Sequence, residues 1–98
     1  MAPSRFENLP RRTVGGREVP VASGLRARTL GLSLLDRDDA GPGLLIPRCA
    51  AVHTFGMRFA LDVCFLDSGG AVLDSRLAVP PRRFLACRGA AAVLEVPA

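Results

Sequence analysis

The chain contains no Lys, no Gln, no Tyr and no Trp, and it has a single His. Without Trp or Tyr, and with only five Phe, it lacks the interleaved aromatic platforms on which unpaired bases stack, so a sequence-reading nucleic-acid module is not expected. Its three cysteines, Cys49, Cys64 and Cys87, are odd in number and include no CxxC pair, a poor match for a disulfide scaffold. They suit a reducing cytoplasm, and cytoplasmic placement is the expectation. No stretch approaches the roughly 20 apolar residues of a membrane helix, and the first twenty residues are too charged for a secretion signal. No membrane role is expected. What remains is a 98-residue chain, 49% hydrophobic and 22% charged. That is enough for one modest core and too little for a large multi-step enzyme.

All thirteen basic residues are Arg, against nine acids. A GC-rich coding sequence is the plain account. The alternative is a phosphate-seeking surface, because the guanidinium fork matches phosphate oxygens. The excess is local. Six Arg and two Glu lie before residue 36, and from residue 36 onward seven Arg face seven acids. Weak, nonspecific attraction to polyanions is consistent with that distribution.

Pro3, Pro10, Gly15 and Gly16 give residues 1–16 an irregular look, with a short edge strand near Val14 and Glu18–Val21. Ser23 reads as an N-cap, and Gly24–Leu35 as a helix whose apolar stripes lie against a sheet. The cluster Asp36–Gly43 is a loop. Leu44–Ile46 begins a strand stopped by Pro47. The run Phe59–Leu66 is the strongest strand signal, apolar on both faces except at Asp62. Asp67–Gly70 forms a hairpin turn, Ala71–Asp74 returns antiparallel, and Ala90–Val96 is a final strand. The expected fold is therefore α+β and β-rich: a single domain over 1–98, with a small, mostly antiparallel sheet or partial barrel and one main helix packed on it.

The block Gly43–Asp67, GLLIPRCAAVHTFGMRFALDVCFLD, resembles the signature of the domain-of-unknown-function 192 family. Arg28–Leu32 upstream, and Gly70–Val72, Pro80–Arg83 and Val93–Ala98 downstream, extend the resemblance over about residues 22–98. It implies a compact β-rich domain found mainly in prokaryotes, and it supplies no reaction. Ala60 stands where Pro commonly precedes the Leu-Asp pair, and Arg82 where an aromatic often follows the Pro pair. Relatives usually continue beyond Pro97-Ala98, which implies a C-terminus truncated relative to the family.

Polar chemistry concentrates around His53 and Asp62. A carboxylate inside an apolar strand costs several kcal/mol unless it is paired, and Arg58, Arg83 and N–H groups near Gly56 are the expected partners. On the structural reading, Asp62 pins the connecting segment and His53 packs against it. On the functional reading, His53, Thr54, Asp62 and Arg83 converge at the mouth of the sheet, with Met57 as core or pocket wall, and bind a small anion or polar ligand. Cys49 and His53 invite a thiol–imidazole comparison, but no Gly-rich nucleophile turn accompanies them. Cys49, His53 and Cys87 offer too few ligands at no recognised spacing for zinc. The Asp36, Asp38, Asp39 cluster lacks the later acid of a calcium loop. No catalytic residue, metal or cofactor is assigned. The expected function is a non-catalytic binding module. The alternatives are an adaptor that uses a sheet edge for a protein partner or homodimer, and, third, a hydrolase-like enzyme.

Overall fold

The computed structural model describes residues 9–22 and 31–98. Eight strands follow one another: β1 (Arg11–Val14), β2 (Arg17–Pro20), β3 (Leu44–Pro47), β4 (Ala51–His53), β5 (Leu61–Leu66), β6 (Val72–Val79), β7 (Phe84–Ala86) and β8 (Ala92–Pro97). One 3-10 turn, Arg37–Asp39, is the only helical element among the described residues. The α+β expectation is thereby corrected: among the described residues no main helix packs on the sheet, and their regular structure is nearly all β. Most of the expected helix, residues 23–30, lies outside the described residues. Its final stretch, residues 31–34, is a turn, with Gly31 and Leu34 at φ +52° and +66°. Left-handed residues at both ends do not continue a right-handed helix. Leu32, expected on an apolar stripe of the helix, is instead fully buried within this turn.

Four strands form one antiparallel sheet in the order β3-β8-β5-β6. The last strand in sequence thus lies between β3 and β5. Strand alternation sends successive side chains to opposite faces. Leu61, Val63 and Phe65 enter the larger core with Leu44, Ile46 and Val93, while Leu66, Leu45, Leu94 and Val19 form a smaller cluster. The ribbon β4-β7 pairs Val52 with Leu85, and both pack on the larger core. On the smaller cluster lies the β1-β2 hairpin, tied to the sheet by the bridge Val21–Leu45. The stretch expected to be irregular through residue 16 therefore contains β1. Its turn residues, Gly15 and Gly16, adopt φ +57° and +79°, which glycine allows without steric cost.

Candidate functional site

The buried acid of this fold is Glu95. Its Cα neighbours across the sheet are Leu44 on β3 and Val63 on β5, both fully buried, so its side chain rises from the larger-core face between two apolar walls. Glu95 is only 3% exposed. Its carboxyl has no hydrogen-bond or ion-pair partner among the described residues, yet no completely sealed polar atom there is left unpaired. The oxygens therefore open onto space. That space is a cavity of about 80 Å³, lined by Glu95 and Ile46 from the sheet, Leu32 and Ser33 from the 31–34 turn, and Cys49, Val52, His53 and Met57 from the β3–β5 connection. Burial without a compensating charge pushes the Glu95 carboxyl up from 4.5 to about 7. Near neutral pH it is a mixture of acid and carboxylate, able both to donate and to accept.

The backbone of Gly31 lies close against the Glu95 carboxyl. A Cβ at Gly31 would stand 3.1 Å from Glu95 Oε1, so the left-handed glycine lets the turn close over the carboxyl. The turn is fastened by Leu34 N–H to the Gly56 carbonyl at 2.8 Å, and the Ser33 hydroxyl points to the Phe55 carbonyl at 3.4 Å. His53 is exposed on β4, where it forms part of the cavity lining, and its ring lies 5.9 Å from that of Phe55.

The residues expected to converge separate into three places. His53 and Met57 reach the cavity, the latter as buried wall. Thr54, fully buried, is a staple: its hydroxyl donates to the Pro80 carbonyl and accepts the Arg83 N–H, both at 2.8 Å. Arg83 enters through this backbone contact, while its guanidinium leans on the Arg82 carbonyl at 3.4 Å. Asp62 lies on the other parity of β5 from Leu61 and Val63. It is half-buried, and its Oδ1 accepts the Ala78 N–H at 2.8 Å, which braces a left-handed residue (φ +52°) in a β6 bulge. Asp62 lines neither His53's cavity nor an ion pair among the described residues. Arg58, expected as its partner, bonds Asp36 at 3.1 Å.

Glu95 escaped the sequence reading although it carries the same signal as Asp62, a lone acid in an apolar strand. Parity distinguishes them. Glu95 shares a face with Val93, whereas Asp62 shares one with Cys64. Cys49 also lines the cavity, but its thiol donates to the Ala51 carbonyl at 3.0 Å. No group of three His, Cys, Asp or Glu residues among those described is placed to hold a metal ion. All three cysteines are free thiols.

A family model covers residues 10–98, that of the domain-of-unknown-function 192 family, described as "Uncharacterized ACR". The chain belongs to this family. No curated protein matches this domain-of-unknown-function 192 chain. Its fold is similar to the crystal structure of a protein of unknown function from Novosphingobium aromaticivorans. The TM-score is 0.64 at 17% identity, with 99% of this chain and 87% of the other covered. At that identity the likeness concerns the fold, and the β-rich architecture expected from the domain-of-unknown-function 192 resemblance is the one found.

Proposed function

We propose that the protein is a non-catalytic binding module whose recognition group is Glu95, and that its ligand is a small polar molecule presenting a hydrogen-bond donor, best an ammonium group. The observation that carries this reading is the Glu95 carboxyl, 3% exposed and without a partner among the described residues, opening onto a cavity. An unpaired buried polar group is costly, and a donor entering the cavity would remove that penalty. The apolar walls Leu32, Ile46, Val52 and Met57 suit a short alkyl stem behind the donor, with His53 at the rim. A negatively charged ligand suits this cavity poorly, because it would meet the Glu95 carboxylate. The thiols fit a reducing cytoplasm, and no described helix is long and apolar enough to cross a membrane.

Ethylamine titration followed by amide chemical shifts tests the reading. The expected result is saturable perturbation of Gly31–Ser33, His53 and Glu95, lost in Glu95→Gln. Affinity should rise from pH 6 to pH 8, because the cation selects the ionised carboxyl. Equal perturbation in Glu95→Gln, or none in the native protein, would overturn it.

The adaptor reading looks to β6, the open edge of the sheet, where Val72, Leu73 and Leu77 are exposed. That edge is interrupted on both sides of Asp74–Arg76, where the β5–β6 register shifts. Bulges of this kind blunt an edge against added strands, so the cavity carries the stronger reading.

A further inference from the structure

The cavity at Glu95 is too small to hold a ring. At about 80 Å³ it is roughly half the size of an engineered cavity that encloses benzene, about 150 Å³. It has room for an ammonium and a short alkyl stem, so any larger body must emerge at the rim. Aromatic side chains are exposed there. Among the described residues the exposed large apolar side chains fall into two groups, and Val72, Leu73 and Leu77 belong to β6. The others, Leu34, Phe55 and Phe84, are 58%, 54% and 69% exposed. Each adjoins Ser33 or His53, which line the cavity. Phe84 is the cross-strand partner of His53. The Thr54 N–H donates to the Arg83 carbonyl at 2.8 Å and the Cys87 N–H to the Ala50 carbonyl at 2.9 Å, which makes His53–Phe84 a non-hydrogen-bonded pair of this ribbon. In such a pair the two side chains share a face and stand closest together. The Phe55 ring lies 5.9 Å from the imidazole, tilted by 45°. His53 thus joins both phenyl rings in an open aromatic corner, and Leu34, whose N–H holds the Gly56 carbonyl, adds an aliphatic flank.

On the footing that Glu95 is the recognition group, we propose that the ligand is a primary arylalkylamine: its ammonium meets the Glu95 carboxyl, its short stem fills the cavity, and its ring lies outside against His53, Phe55 and Phe84. The two ends of the site call for two chemistries in one molecule. A buried acid selects a cation, and a contiguous exposed apolar patch marks a surface that a ligand covers. Stacked or edge-to-face rings add to the gain from burial alone, so an aromatic body suits this rim better than a chain of the same size. The occupant comes from outside the protein. The chain has no Lys, and a second copy therefore offers no side-chain ammonium.

The test titrates ethylamine, 2-phenylethylamine, 2-phenylethanol and Nα-acetyl-lysine methylamide at pH 8, where the Glu95 carboxyl is largely ionised, with amide chemical shifts as the readout. 2-Phenylethylamine should bind at least about tenfold more tightly than ethylamine, with saturable shifts at Gly31–Ser33 and Glu95 that extend to Phe55 and Phe84. The alcohol keeps the ring and lacks the charge, and it should bind at least about tenfold more weakly than the arylalkylamine. Phe55→Ala and Phe84→Ala, both at exposed positions, should each bring the ratio of the two amine affinities toward one, whereas Leu77→Ala on β6 should leave it as it is. If ethylamine binds through Glu95 but 2-phenylethylamine binds no more tightly, the aromatic rim is overturned while the recognition group stands. A ratio insensitive to both Phe variants, or an alcohol that binds as tightly as the amine, overturns it too. A lysine derivative that binds more tightly than the arylalkylamine overturns it in favour of a peptide. With no saturable shift from either amine, the recognition group fails and the arylalkylamine with it.

Discussion

Glu95 links the stability of the protein to pH in a direction opposite to that of a salt-bridged acid. Its folded value, about 7, lies above the ordinary 4.5, so between those limits the unfolded chain releases a proton that the folded chain retains. Stability from this group is complete below about pH 4.5 and is lost as pH rises through 7, a change of about 3 kcal/mol for a shift of this size. Glu95→Gln should remove that slope. In urea denaturation followed by circular dichroism, the native protein should lose ground to the variant steadily from pH 5 to pH 8; parallel curves would contradict the assignment. At this scale the sequence was only half legible. A lone acid in an apolar strand is visible in the letters, at Asp62 and Glu95 alike. Which of them is buried depends on strand parity and on a glycine turn sixty-odd residues earlier, and neither is encoded in local composition. The segment His53–Met57 was legible as a place where polar and apolar groups meet, and His53 and Met57 do reach the cavity. Thr54 looked like a member of that cluster because a hydroxyl serves a ligand or a backbone equally well.

Strands were easier to read than the helix, for a physical reason. β3, β5 and β8 announce themselves through β-branched and aliphatic runs bounded by Pro, Gly and Asp, whereas β4 and β7 are three residues each, too short for any period to show. Leucine spacing over 24–35 satisfied a helical template, but spacing cannot reveal that Gly31 and Leu34 take left-handed angles. The start of β3 provides the sharpest demand. Gly43, at φ +132°, lies so close to β8 that a Cβ would stand 2.6 Å from the Glu95 carbonyl oxygen and 3.2 Å from Val96. Since the obstacle is backbone in the middle of a sheet, it cannot swing aside. Gly43→Ala should destabilise the fold by at least about 2 kcal/mol through strain and a disturbed β3–β8 ladder. Thermal unfolding checks this, with Gly70→Ala as the control. That glycine also has positive φ but open space around it, and it should lose less. Equal losses at the two sites would show that conformation, and not the close approach, is what matters.

For the molecule as a whole, β8 is the member on which the rest depends. It bonds to β3 on one side and β5 on the other, joining segments about thirty to fifty residues away in the chain. Deleting residues 92–98 should therefore leave no cooperative unfolding transition and a collapsed amide spectrum, because β3 would have no neighbour in the sheet. A truncated chain that still melts sharply would show that the two ribbons and β5-β6 suffice. The side chains of β8 also alternate between two interiors, Val93 and Glu95 on one face and Leu94 and Val96 on the other. A slip of this strand by a single step would thrust the acid among Val19, Leu45 and Leu66 while handing a hydrocarbon to the cavity, spoiling both compartments at once. There is no nearby misalignment that is only half wrong, and a chain built this way snaps into one frame or none.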